Sequence, residues 1–314
     1  MRFLFMGTAE FACPTLQALA ASEHEALAVV TQPDRPRGRG RQPAMTPVKR
    51  VALELALPIL QPARLRRDAV IDALAAFEPD IIVVVAYGNI LPPRVLELPP
   101  HGCVNLHASL LPKYRGPAPI NWALIHGEPV TGYTIIQMDA HVDTGPMLSH
   151  EALEVFPDED AVSLAQRLAE RGAEGMVRVL RALEQGELQA QPQPEAGASQ
   201  APKLTRELGR LDWHEAAESL HNRVRGLVPW PGCTAMYGDL EVKIWRTTVD
   251  EDVQQTSSST MPGTVVSITA DGVRVACGDQ RLLRLQEMQP ANRRRMAAQA
   301  FAQGYRLQQG DCFG

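Results

Sequence analysis

Five aliphatic residues in succession, Ile81-Ile82-Val83-Val84-Val85, set the terms on which this chain can fold. A strand with one wet face alternates apolar and polar residues, so an unbroken β-branched run has to be buried on both faces. Both faces of a sheet are covered when helices connect its parallel strands, and the run therefore predicts the central strand of an α/β sheet. The N-terminal residues agree. Arg2 to Met6 is an apolar strand ending at Gly7-Thr8, Phe11 to Ala21 has helical spacing, and Leu27 to Thr31 is a second, valine-rich strand. Such a β-α-β opening implies a parallel sheet with a right-handed crossover. Gly7 stands alone after its strand, and without G-x-G-x-x-G a dinucleotide cofactor is not supported.

Further elements follow in order. Thr46-Pro47 reads as N-cap and first helical residue of a helix to about Leu57. Helices are expected at 67–77 and 117–126, and a strand at 132–138. Residues 160–183 carry apolar residues at helical spacing, interrupted near Gly172. Residues 185–202 are rich in Gln, Pro, Ala and Gly and almost devoid of large apolar side chains, the composition of a linker. The expected division is a Rossmann-like parallel-sheet domain over 1–184, a linker over 185–204, and a second domain over 205–314. In that second domain Asp212 and Glu215 suggest a capping box opening a helix to Leu227, with His221, Arg223 and Arg225 on its outer face. Five short strands follow, at 233–237, 240–246, 263–268, 273–277 and 282–285, with hairpin turns at Gly238-Asp239 and Asp271-Gly272. Their number and length suggest a small OB-like β-barrel, a fold that often presents a face to nucleic acid. Residues 250–260 are polar and serine-rich and read as a disordered excursion.

Composition narrows the function. No apolar run approaches the roughly 20 residues that span a bilayer, and the first residues lack a signal-peptide core, so the chain is expected in the cytoplasm. The five scattered cysteines form no C-x-x-C pair, which leaves no zinc site or disulfide framework and an expectation of reduced thiols. The net charge of −5 argues against nucleic acid, but its distribution is uneven. Residues 201–314 hold 14 Lys/Arg against 13 Asp/Glu, the first 200 hold 17 against 23, and the stretch 35–50 contains six basic residues and no acid. Charges more than about 10 Å away are screened by salt, so a local cationic patch on an acidic protein can still bind phosphate. The prolines, glycines and arginines of 32–43 exclude regular structure there and suggest a mobile cationic loop. Arg293-Arg294-Arg295 is a second basic run.

The chemistry concentrates in Cys103 to Gly116. Cys103 to Leu106 is the end of a buried strand, and Pro112 and Gly116 bound the loop after it. Side chains alternate along a strand, so Asn105 and His107 emerge on one side at its carboxyl end, where ligands of open α/β sheets collect. An amide offers two N–H donors to a developing oxyanion, and an imidazole can donate or move a proton near neutral pH. The strand at 132–138 leads to Asp139 and Asp143, placing an acid on the same edge. Asp143, before Thr144-Gly145-Pro146, is either part of that group or an Asx-turn carboxylate that only shapes its loop.

Three ordered segments resemble the formyltetrahydrofolate-dependent formyltransferases: Asn105-Leu106-His107 with Ser109-Leu110-Leu111-Pro112 and Arg115-Gly116; Met138 to Gly145; and the basic Thr31 to Gly40, with Pro229-Trp230-Pro231-Gly232 further on. The resemblance implies that Asn105, His107 and Asp143 are catalytic. It further implies that Ser109, Leu110, Leu111 and Pro112, with Tyr87, Gly88 and Ile90, contact the folate. Arg35, Arg37, Arg39 and Arg41 would grip a tRNA acceptor stem. The implied reaction moves the formyl group of 10-formyltetrahydrofolate, as co-substrate and without a metal, to the α-amine of methionyl-initiator tRNA. A monomer is expected. His141 departs from the family pattern, which has a small or flexible residue at that place. A small-amine acceptor, or a non-catalytic RNA-binding protein, are the alternative readings; the arginine loop speaks against the first and the Asn/His/Asp set against the second.

Overall fold

The computed structural model describes residues 1–37, 42–250 and 260–314. They form two compact units. The first comprises Met1–Pro119, Thr131–Leu153 and Ala165–Ala201; the second comprises Ile120–Val130, Glu154–Leu164 and Pro202–Gly314.

In chain order the first part of the molecule contains β1 (Arg2–Gly7), α1 (Cys13–Ala20), β2 (Glu25–Val30), β3 (Arg35–Arg37), β4 (Gln42–Ala44), α2 (Pro47–Glu54), β5 (Ile59–Leu60), α3 (Asp68–Ala75), β6 (Ile81–Val85), α4 (Pro93–Leu96), β7 (Cys103–His107), α5 (Pro119–Ile125), β8 (Val130–Gln137), β9 (Met147–Glu154) and α6 (Ala161–Glu184). One seven-stranded sheet runs in the order β5-β2-β1-β6-β7-β8-β9. The strands from β5 to β7 are parallel, and β6 is buried at all five positions as its sequence requires. Alternation splits the core into two layers. Phe3, Phe5, Val83, Val104 and Leu106 pack with α1 and α6, while Leu4, Met6, Val84 and Cys103 pack with α3 and α4. The parallel pattern ends at β8, which pairs with β7 antiparallel, Val104 opposite Gln137 and His107 opposite Thr134. The carboxyl end of β8 therefore lies at the amino end of β7. The expectation that β8 delivers its acid straight to the catalytic edge is corrected by this register.

Three local expectations also change. Helix α6 runs unbroken through Gly172, because glycine there makes room rather than a break: a Cβ would sit 2.7 Å from Leu106 Cδ2, and one at Gly175 2.3 Å from the Tyr133 hydroxyl. Residues 32–43 are not wholly irregular, since β3 and β4 form a short antiparallel hairpin with Pro36 opposite Pro43. Thr46 caps α2 as expected, its Oγ1 accepting from the Lys49 N–H, but the helix stops at Glu54 and Ala56 turns left-handed.

The second unit contains α7 (Ala217–Gly226), β10 (Cys233–Tyr237), β11 (Leu240–Val249), β12 (Val265–Thr269), β13 (Gly272–Ala276), β14 (Leu282–Pro290), β15 (Met296–Ala297) and α8 (Ala298–Tyr305). Its antiparallel sheet runs β10-β11-β14-β13-β12, and the last residues close it into a barrel. The Met236 N–H donates to the Gly314 carbonyl (2.7 Å) on one side, and the Val265 N–H to the Asp311 carbonyl (2.8 Å) on the other. The expected capping box is absent. Asp212 accepts from His214, and the N-terminus of α7 is served from outside by Asp279, which accepts from the Ala217 N–H at 3.2 Å. His221 and Arg225 do not face solvent freely: His221 bonds Thr247 and the Pro157 carbonyl, and Arg225 donates to the carbonyls of Phe156 and Glu159. Arg223 pairs with Glu215. The excursion expected over 250–260 lies outside the described residues except at its ends, where Asp250 pairs with Arg274 and Arg284. All five cysteines are free, and no described helix is long and apolar enough to cross a membrane.

The packing of α6 on the sheet yields a stability test. Gly172→Val forces two methyls onto Leu106, so it should destabilise the chain by about 1–3 kcal/mol despite valine's better helix propensity. Denaturant unfolding of the variant beside the wild type measures this, and an unchanged midpoint would refute the close approach.

Candidate active site

The sheet changes winding direction between β1 and β6. From β1 the chain builds outward to β2 and β5, then returns to add β6 and β7 on the other side. Ligands of open α/β sheets bind outside the carboxyl ends of the strands at such a point. Gly7 ends β1 there with Thr8 after it, and Ala86-Tyr87-Gly88 follows β6. One strand further, Asn105 lies opposite Val84 on β7.

Asn105 and His107 share a side of β7 with Cys103, as alternation requires, and Leu106 points the other way into the α6 layer. Because β8 runs antiparallel, the loop from Met138 to Pro146 has to double back to bring Asp143 to them. It does so through its own bonds. The Gln137 N–H donates to the Pro146 carbonyl, closing the loop's neck. Asp139 accepts from the Thr144 hydroxyl at 2.8 Å and from the His141 N–H at 3.0 Å, so this acid shapes the loop. The His141 side chain is exposed and only its backbone takes part, which explains why bulk is tolerated there. Asp143 sits in left-handed backbone (φ 55°), an unfavourable state for a residue with a Cβ, and its carboxylate turns inward.

Three groups meet at that carboxylate. Asp143 Oδ2 accepts from the Gly116 N–H at 2.8 Å and lies 3.5 Å from His107 Nδ1; Oδ1 lies 3.5 Å from Asn105 Nδ2. His107 is 6% exposed, and its other nitrogen, Nε2, donates to the Tyr114 carbonyl at 2.9 Å. With Nε2 carrying that hydrogen, Nδ1 bonds the carboxylate when it too is protonated, as the imidazolium. Both long contacts at Asp143 leave donors that a bound oxygen can draw away. Cys103, two residues before Asn105 on the same side, is no nucleophile: burial pushes its thiol up to about 12.

The other expected residues divide. Ser109, Leu111 and Pro112 are buried, and the Ser109 hydroxyl donates to the Lys113 carbonyl at 2.6 Å, so these three fix the loop's shape while Leu110 stays half-exposed. The Tyr87 side chain is buried, and its carbonyl accepts from the Thr8 hydroxyl and from Gln32 Nε2, both at 2.9 Å. Gly88 (φ 80°) and Ile90 are exposed beside it, Ile90 to 69%. Arg35 is exposed where the chain leaves β2, and Arg37 is described only as the last residue of β3. Arg39 and Arg41 lie outside the described residues.

Composition concealed one part of the site. Residues 185–201 run as a strap along the first unit rather than as a bare connection. Ser199 Oγ accepts from the Tyr114 N–H, the Ser199 carbonyl accepts from the Arg115 N–H, and Gln193 bonds both Arg115 and the loop carrying Asp143. A polar, proline-rich segment gives no periodic signal for such contacts.

Comparison with known proteins gives a consistent result. Residues 1–180 match the model of the family described as formyl transferase, and residues 203–306 match that of the formyl transferase C-terminal domain. The chain is similar to proteins named methionyl-tRNA formyltransferase from Citrifermentans bemidjiense (44% identity, covering 100% of this chain and 96% of the relative) and Acetivibrio thermocellus (42%, covering 100% of both). Among solved structures it resembles HypX from Aquifex aeolicus in complex with tetrahydrofolic acid (18% identity, TM-score 0.66, 96% of this chain and 47% of that one). It also resembles WlaRD, a sugar 3N-formyl transferase (13%, TM-score 0.69, 94% and 99%).

Gly116 offers a direct test of the loop geometry. It has φ 118°, and a Cβ there would lie 2.7 Å from the Ala201 carbonyl oxygen. Gly116→Ala should therefore cost about 1–3 kcal/mol and loosen the bond to Asp143. Faster amide exchange at position 116 and a lower unfolding midpoint are expected; wild-type values of both would contradict the geometry.

Proposed function

The chain belongs to the formyl transferase family, and from that premise we propose that it transfers the formyl group of 10-formyltetrahydrofolate to the α-amine of methionyl-initiator tRNA. Relatives bearing the name methionyl-tRNA formyltransferase match it end to end at 42–45% identity, which supports this acceptor. The observation that carries the mechanism is the convergence of Asn105, His107 and Gly116 on the Asp143 carboxylate.

The neutral amine attacks the formyl carbon, and the carbonyl electrons move to oxygen. Asn105 Nδ2 has a second hydrogen beyond the one directed at Asp143, and it donates that hydrogen to the oxyanion. His107, pinned through Nε2 by the Tyr114 carbonyl, turns Nδ1 toward the Asp143 carboxylate beside the reacting groups. Asp143 takes the amine's proton, directly or through water, and returns it to N10 of tetrahydrofolate as the C–N10 bond breaks. No covalent enzyme intermediate is required, in keeping with the inert Cys103 thiol and a Ser109 hydroxyl committed to its own loop.

The folate side of the cleft fits a flat, hydrogen-bonding ring. Ala86 and Gly88 are exposed, Ile90 offers an exposed apolar side chain, and Leu110 is half-exposed. Tyr87, Ser109, Leu111 and Pro112 contribute there through the backbone they shape. For the tRNA, the basic stretch around Arg35, Arg37, Arg39 and Arg41 supplies phosphate contacts, Arg35 standing exposed at the start of β3. Such an enzyme acts in the cytoplasm, where charged tRNA and reduced folate are made, and one chain carries the whole constellation, so a monomer suffices for the reaction.

Losing one oxyanion donor typically costs on the order of 10²–10³ in turnover. Asn105→Ala should show that fall in formylation of charged initiator tRNA, and wild-type turnover would remove Asn105 from the mechanism. Run beside it, an amino sugar or a glycinamide nucleotide as acceptor should be formylated poorly; preference for either over tRNA would overturn the acceptor assignment.

A further inference from the structure

We infer that Gln193 is a positioning residue for Asp143, and that the strap around it sets where the carboxylate stands. The inference rests on the reaction proposed above.

Because β8 ends at the far edge of the sheet, no strand holds the Asp143 loop from its own side. One amide from outside does. Gln193 Nε2 donates to the Asp143 carbonyl at 2.9 Å and to the Gly145 carbonyl at 2.8 Å, gripping the loop on both sides of Thr144. Its Oε1 accepts from Arg115 Nε (3.1 Å) and from a terminal nitrogen of the same guanidinium (2.6 Å). Arg115 stands between Tyr114, whose carbonyl holds His107, and Gly116, whose N–H holds Asp143. Both donors and both lone pairs of one amide are thus spent on joining the loop of the acid to the loop that orients its partners. The strap is otherwise exposed from Gln191 to Gln200, and Gln193 and Ser199 are its two half-buried residues. Its backbone is tied at both ends of the site, Gln191 to Met147 and Ala201 to Arg115.

Displacement of a reacting group by about 1 Å can cost 10²-fold, so the role is measurable. Gln193→Met keeps the side chain's length and removes all four bonds. Gln193→Glu keeps an acceptor for Arg115 but turns negative charge on two carbonyls. Formyl transfer to charged initiator tRNA is measured for wild type, both variants, Asp143→Ala, and Asp143→Ala with Gln193→Met. The expected result is a kcat about tenfold or more below wild type in both single variants, with KM for donor and tRNA changed by less than about threefold. In the Asp143→Ala background the second substitution should remove nothing further, because groups acting as a unit are not additive. A wild-type kcat in Gln193→Met, an unimpaired Gln193→Glu, or an equal loss in the Asp143→Ala background overturns the inference. Thermal unfolding of each variant identifies one that fails to fold, in which case the other carries the test. A wild-type enzyme that formylates beside a fully active Gln193→Met refutes the positioning role alone, whereas a wild-type chain that does not formylate tRNA refutes the reaction.

Discussion

The site depends on a carboxylate that its own strand leads away. Parallel strands deliver Asn105 and His107 to the productive edge, but the antiparallel β8 ends at the opposite edge. Everything distinctive about Asp143 follows from the return journey. The loop needs internal bonds to Asp139, a left-handed residue at Asp143 itself, a backbone donor at Gly116 and an amide from a distant strap. Non-glycine residues at positive φ also occur at Ala86 and Tyr114, beside the same cleft. Each costs of order 1–3 kcal/mol and persists only where surrounding bonds over-determine it. Strain and clamping are thus two sides of one arrangement: the acid is held in place by contacts because no regular element can hold it.

That division explains what could be read from the residues. Ile81 to Val85 announced a strand buried on both faces, and period-two alternation put Asn105 and His107 on one side, because these are local consequences of backbone geometry. The same local reasoning misjudged three places where a distant partner decides. Gly172 reads as a helix interruption until Leu106 is found against it. Asp212 and Glu215 look like a capping box, yet Asp279 satisfies the N-terminus of α7 from 62 residues away. Residues 185–201 have a linker's composition, and nothing in that composition marks Gln193, whose partners are 48 to 78 residues distant in sequence. Hydrogen bonds of that span have no periodicity to betray them. For the site residues, alternation alone put Asn105 and His107 side by side and left Asp143 open as an Asx-turn carboxylate, and family resemblance narrowed it.

The second unit solves a related problem by a different route. Five strands in the order β10-β11-β14-β13-β12 leave two edges, each a row of unpaired backbone groups. Residues 311–314 fill the gap between them, and Phe313, 2% exposed, carries the closing segment into the core against Trp213 and Tyr237. Closure pairs both edges and removes the unpaired rows that would otherwise template strand addition.

An acidic chain with a local cationic segment has to keep its acids from cancelling those cations. Asp34, beside the arginine hairpin, shows how. Lys49 and Gln61 bond its two oxygens at 2.6 and 2.8 Å and hold its carboxyl below the usual carboxylate range. The charge is thereby neutralised by Lys49 and spent on anchoring the base of the hairpin, with Gln61 also donating to the Gln32 carbonyl. Gln32 in turn donates to the Tyr87 carbonyl just beyond β6. One polar chain therefore connects the foot of the basic hairpin to the carboxyl end of β6, and the hairpin emerges with Arg35 exposed and its nearest acid already paired. At physiological salt the remaining negative charge of the chain is screened beyond about a Debye length, so an anion beside Arg35 meets the local positive charge and not the average.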